Sequence, residues 1–234
     1  KSLAVPWRGV CGGVAGAGYW NFPAATCTGW ADCEASDTDT GTAPGTIRFT
    51  IQSFTWDGGG VDGTCGGVGT ANNWSCAANW TNDTLPGTTN VAIFDGTSAK
   101  PATINSAIDV NGILLNGYTG TITQAATVTI GNNGYYNQTS GTFIGNSSTF
   151  DIGWGSFTLS GGTFNAGASQ LLSVQGNWTY SGGTFNAGSG TVDFDAGGTQ
   201  TVSAGSMSFN HVSLTNAAAF LNVSGVMDVN GNLT

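Results

Sequence analysis

Asp193 and Asp195, with Phe194 between them, are the pair of carboxylates in this sequence best placed for sugar chemistry. Alternation along a strand puts both on one face, and glycoside hydrolysis needs two carboxyl groups facing one ring across roughly 5 to 10 Å. Asp151 falls in the same column as Asp193 when the chain is read with a 21-residue offset, but the two then stand two coils apart, about 10 Å, with Leu172 between them. Cations that would neutralise an acidic sugar are missing. The four basic residues are Lys1, Arg8, Arg48 and Lys100, and none follows Lys100. The single histidine, His211, has no nucleophile or orienting carboxylate suggested by spacing. A solvated acidic face is the plainer reading of these groups, and the expectation is a protein that is not an enzyme.

Two acidic groupings carry calcium-type chemistry. Asp32, Glu34, Asp37 and Asp39 form a short acidic run, and Asp57 and Asp62 flank Gly58-Gly59-Gly60, a turn that could wrap main-chain carbonyls round an ion. Neither has EF-hand spacing, so the expectation is no required cofactor, with Ca²⁺ as the candidate ion against a plain solvated loop. The triple glycine is no phosphate cradle, because no Lys follows it and acids flank it. The five cysteines, at 11, 27, 33, 65 and 76, all lie in the first third. Cys27 with Cys33 and Cys65 with Cys76 are close enough in sequence for local disulfides, which leaves Cys11 as a candidate intermolecular thiol. Reduced thiols or a metal site are the alternatives, although no C-x-x-C pair or Cys/His cluster supports zinc. Disulfides imply an oxidising, extracellular location.

The elements that hold these groups must be strands. Gly contributes 39 of the 234 residues and charged residues only 7%, so the polar surface is built from Thr, Ser and Asn, which pair well with like neighbours in stacked strands and form helices poorly. The net charge of −9 repels phosphate backbones and anionic lipids, which argues against nucleic acid as a partner. No apolar run reaches the roughly 20 residues of a membrane span.

Internal repetition then sets the architecture. Thr158–Gly167 recurs as Thr179–Gly188, an offset of 21 residues. Carried back, that offset aligns Ile122, Phe143, Phe164 and Phe185, each preceded by Thr (121, 142, 163, 184) and Gly (120, 141, 162, 183). A second column holds Leu115, Tyr136, Phe157 and Trp178, and a third holds Phe150, Leu171 and Val192. Three apolar anchors per repeat, separated by Gly, Asn and Ser, describe three short strands and three turns: one coil of an all-β, right-handed parallel β-helix, with the apolar columns inside and the Thr column outside.

From Thr55 the chain runs Thr-Trp-Asp-Gly-Gly-Gly, then Asn73-Trp74-Ser75, Ala78-Asn79-Trp80-Thr81, Leu85-Pro86-Gly87 and Val91-Ala92-Ile93-Phe94-Asp95. With the later Gly183–Val192 and Asp228–Thr234 segments, this resembles bacterial repeat-rich secreted surface proteins, including autotransporter-type passenger domains and β-strand-repeat proteins, over about residues 55–234. The resemblance implies a parallel β-helix, and Cys65 and Cys76 depart from its pattern. The expected organisation is a Cys-containing segment over 1–54, a Trp-rich cap over 55–100 and solenoid repeats over 101–234. Trp56, Trp74 and Trp80 would cover the first coil, or stack on sugars if exposed. Thr46–Gln52 alternates as a strand, with Ile47, Phe49 and Ile51 on one face, and is the candidate assembly strand. The last residues carry no polar cap. The functional expectation is a secreted, cell-surface structural module that self-associates head to tail, as a layer, stalk or filament. A glycan-binding adhesin module is the alternative, and a β-helix carbohydrate-active enzyme a weaker one.

Overall fold

A computed structural model describes residues 52–234. The candidate residues Cys11, Cys27, Cys33, Asp32, Glu34, Asp37, Asp39, Ile47, Phe49 and Ile51 lie outside that range.

The described chain is an all-β parallel solenoid of about seven turns. From Val91 to Phe194 each turn contributes one strand to each of three sides. The first side runs through Ser53–Thr55, Val91–Phe94, the end of Ile108–Leu115, the end of Val128–Gln138, Ser156–Leu159, Trp178–Tyr180, Thr199–Gly205 and Phe220–Gly225. The second runs through Ala102–Ile104, Thr121–Gln124, Thr142–Ile144, Thr163–Asn165 and Thr184–Asn186. The third runs from the starts of Ile108–Leu115 and Val128–Gln138 through Phe150–Ile152, Leu171–Val174 and Thr191–Phe194 to His211–Ser213. Every named pairing is parallel, because each strand meets its counterpart one turn later, travelling the same way.

On the second side the repeat is kept residue for residue. Ile122 pairs with Phe143, Phe143 with Phe164 and Phe164 with Phe185. All four side chains are buried, whereas Thr121, Thr142, Thr163 and Thr184 pair on the outer face. Complete burial of a ring of this size stabilises by about 1.5–3 kcal/mol. The preceding Gly141, Gly162 and Gly183 have φ of +68°, +72° and +83°, which a Cβ would strain. Gly120 is bare for a different reason: the Tyr118 ring and the Ala99 carbonyl oxygen would lie 2.5 and 2.6 Å from an added Cβ.

The other two columns need correction. Tyr136 pairs with Ile113, not Leu115, which pairs instead with Gln138 and Phe94. A register shift between Val110 and Gly112 and the inserted corner at Gly131–Gly134, with Asn133 at φ +63°, lengthen that turn, so a fixed offset lands two residues too far along. Leu115 is still buried, because a slip of two keeps the inward face. On the third side Leu172, not Leu171, lies between Phe150 and Val192. The corner before it is one residue longer than its neighbours and contains Ser169 at φ +58°, so a slip of one turns Leu171 outward and Leu172 inward.

Trp56, Trp74 and Trp80 close the head of the solenoid. All are buried round Phe94, with ring centroids 5.7, 5.9 and 5.5 Å from it. Trp56 Nε1 donates to the Lys100 carbonyl and Trp80 Nε1 to the Trp74 carbonyl, both at 2.9 Å, so these two indoles bury area with their donors paired. The cap also covers two strand edges: Ser53–Thr55 pairs with Val91–Ile93, and the Asn73 segment bridges to Thr103.

Candidate ligand-contact surface

The outward face of the third side carries the carboxylates singled out above. Asp151, Ser173, Asp193 and Ser213 are successive partners across its strands, so the residue separating the two aspartates is Ser173 rather than Leu172. Asp193 is closed off. Ser213 Oγ and the Thr215 amide donate to its Oδ1 at 2.8 and 3.2 Å, and Thr215 Oγ1 donates to Oδ2 at 2.7 Å. With 6% exposure and both oxygens engaged, Asp193 is a ladder rung and not a free base.

Asp195 is different. It is half-buried, and among the described residues its carboxylate receives only two long bonds, from Ser173 Oγ and Gln175 Nε2, each at 3.4 Å. Burial raises its pKa above the ordinary value, and the nearby charges of Asp193 and Asp151 push the same way. Asn216 Nδ2 donates to its main-chain carbonyl at 3.3 Å. Two residues on, Gly197 leaves bare backbone: a side-chain carbon there would stand 3.7 Å from Asn216 Nδ2 and 3.8 Å from Trp154 Cη2. Trp154 stems from the corner after Phe150–Ile152 and is 58% exposed.

At the cap, the carbonyls suggested for a calcium ion are turned onto the protein's own cation. Lys100 Nζ donates to the carbonyls of Gly58, at 3.1 Å, and Gly60, and to Asn79 Oδ1 at 3.1 Å. Desolvation holds the ammonium below its usual pKa, partly offset by Asp57 and Asp62. Asp57 Oδ1 accepts from the Gly59 amide, and the Asp62 carboxylate accepts from the Gly69 and Ala71 amides at 3.0 and 2.9 Å. These bonds lower the Asp62 pKa. Among the described residues no three His, Cys, Asp or Glu side chains gather to hold a metal. Cys65 and Cys76 are joined by a disulfide with 5.0 Å between Cα atoms, tying the loop after the glycines to the Trp-rich segment.

Four buried glutamines were not anticipated from the sequence. Gln138 Nε2 donates to the Gly141 and Thr163 carbonyls at 3.0 Å while its Oε1 accepts from Tyr136 Oη at 2.8 Å. Gln170 donates to Gln124, which in turn reaches the Ala126 and Thr149 carbonyls, and Gln200 donates to the Val174 and Gly176 carbonyls. Gln124, Gln138 and Gln200 each fasten a coil to its neighbour, and Gln170 reaches Gln124 two coils back. Their signal was parity: Gln124, Gln138 and Gln170 stand two residues from the inward Ile122, Tyr136 and Leu172.

A cleft of about 510 Å³ opens between Thr184–Asn186 and Ser208–Phe209, where the second side stops pairing and the latter strand pairs with Asp228–Val229 instead. Among the described residues Tyr180 is the one titratable side chain in its lining. No described helix is long and apolar enough to cross a membrane. The sequence matches no family model, and it has no match among the curated proteins or the solved structures.

Proposed function

We propose that this chain is a non-catalytic structural module of an extracellular assembly: a solenoid segment of a cell-surface layer, adhesive stalk or self-assembling filament, of the kind found in repeat-rich bacterial surface proteins. The observation that carries the reading is how the polar groups with chemical potential are used. Asp193 is saturated by Ser213, at the end of the adjacent strand, and by Thr215 just after it, and Lys100 is saturated by Gly58, Gly60 and Asn79. Groups so engaged hold coils together and are poorly placed to bind and release a substrate.

Two further features support it. The Cys65–Cys76 bond suits an oxidising compartment. Among the described residues the strand Phe220–Gly225 pairs on one edge only, and Phe220, Val223 and Val226 are exposed there, a surface that another coil would cover whether it belonged to the same polypeptide or to a second copy. Head-to-tail stacking of copies gives an open fibre rather than a closed ring unless a rotation closes it.

Negative-stain microscopy of native and purified material tests the proposal. Fibres or sheets are expected, and they should disappear when residues 1–51, which include Ile47, Phe49 and Ile51 of the candidate strand, are deleted while the β-rich circular dichroism persists. Monodisperse particles at high concentration, with no layer or fibre in the native source, would defeat it.

A further inference from the structure

We propose that the Trp154 face is a binding site for neutral pyranose glycans. The other tryptophans of the described chain, Trp56, Trp74, Trp80 and Trp178, are all 2% exposed or less, whereas Trp154 is 58% exposed. The core therefore does not use this ring. Nor does it hang free: its Cη2 lies 3.8 Å from where a Cβ on Gly197 would stand, two coils further along the stack, and the missing side chain leaves a strip of exposed backbone there. A largely exposed indole with one edge beside exposed backbone offers the apolar half of a sugar site, since the C–H face of a pyranose packs on an aromatic face.

The polar half lies along the same strip. Asn216 Nδ2 is close to Gly197, and the Asp195 carboxylate keeps unused acceptor capacity because its two bonds are long. A hydroxyl donating to Asp195 at normal length would satisfy that oxygen better than Ser173 or Gln175 does. The class of glycan follows from charge. Asp151, Asp193 and Asp195 share this face, and the described residues hold no Arg and no Lys other than Lys100, which is engaged at the cap. Uronates and sulfated sugars would meet repulsion and find no counter-charge, so a neutral glycan is the ligand that fits. The site adds to the structural role and does not depend on it, because a solenoid can display a glycan contact whether or not it polymerises.

The test is an array of neutral, uronate and sulfated oligosaccharides, followed by calorimetric titration with the best neutral one. The wild-type protein should retain neutral oligosaccharides. Trp154→Ala should weaken that binding by about tenfold or more with an unchanged melting curve, and Gly197→Leu should do the same by filling the strip beside the ring. Should Trp154→Ala prove unstable, Gly197→Leu decides: lost binding with intact melting supports the site, and retained binding overturns it. The proposal also fails if the wild type retains no neutral oligosaccharide, prefers acidic ones, or is matched in affinity by a stable Trp154→Ala variant.

Discussion

Phe143 and Phe164 lie face to face across one parallel strand pair, with ring centroids 4.8 Å apart and planes 10° apart. That separation equals the spacing of hydrogen-bonded strands, so the rings stack at the step of the coil and neither must tilt to fill space. Phe164 also meets Phe185 at 5.8 Å and the edges of Tyr136 and Phe157 at 5.5 and 5.3 Å. Phe164→Ala should therefore destabilise the solenoid by about 3–5 kcal/mol, whereas Thr163→Ala on the outer face should cost under about 1 kcal/mol. Denaturant melts of the two variants compare the faces directly, and the reverse order would mean that the inside of the column has been misassigned.

Gly162 carries two constraints at once. Its φ is +72°, and a Cβ would stand 2.5 Å from the Gly141 carbonyl oxygen and 2.6 Å from the Ser140 carbonyl carbon. A β-branched side chain meets both the left-handed strain and rigid backbone of the preceding coil, so Gly162→Val should cost about 2–3 kcal/mol or more. Gly63, which has no atom within 4 Å of an added Cβ and no positive φ, is the control. Equal melting temperatures for Gly162→Val and Gly63→Val would remove the turn assignment.

How much of this was legible follows from which residues carry the period. Where strand and corner lengths are constant, as from Ile122 to Phe185, a fixed offset finds the partners and parity finds the faces. Where a corner gains residues, as at Gly131–Gly134 or beside Ser169, the offset fails while the hydrophobic alternation within each strand survives; hence the misplacement of Leu115 and Leu171 in otherwise correct columns. The cap tryptophans were legible from size and position. The Lys100 cage was only half legible: Gly58-Gly59-Gly60 announced converging carbonyls, but nothing local showed that a cation 40 residues later fills them. Trp154 was not legible as a surface residue, because a tryptophan in a Gly-rich chain reads as core until its corner is seen to point outward.

Lys100 should behave as a structural cation. Replacing it with the similarly long Met removes the donor from Gly58, Gly60 and Asn79 together and leaves the two carbonyls facing an apolar chain. Lys100→Met should lower stability by about 2 kcal/mol, the scale of losing charge-assisted hydrogen bonds from partly buried acceptors. Added Ca²⁺ should restore little of it, because the site was shaped round an ammonium. A thermal melt of Lys100→Met with and without Ca²⁺ checks both points, and an unshifted melt, or full rescue by the ion, would show that Lys100 does not organise the triple-glycine turn.

Asp195 should make stability depend on pH in the direction opposite to a salt-bridged carboxylate. Burial is the main cause that raises its pKa above 3.8, followed among the raising causes by the charges of Asp193 and Asp151. Between 3.8 and that raised value the folded protein binds more protons at this site than the unfolded chain does, so stability falls as pH rises through the window and stays lowered at neutral pH. Below 3.8 both states are protonated and the penalty is gone. Asp195→Asn removes the charge and keeps an oxygen for Ser173 or Gln175, so it should melt higher than wild type at pH 7, with the difference shrinking as pH is lowered toward 3.8. Asp193→Asn is the contrast, because its two oxygens accept from Ser213 and Thr215, and an amide nitrogen in place of one of them would face a donor at every pH. It should melt lower throughout. Melting temperatures of wild type and both variants from pH 3 to pH 8 decide the matter, and a difference for Asp195→Asn that stays constant over that range would mean that its carboxylate is as well solvated as an ordinary surface aspartate.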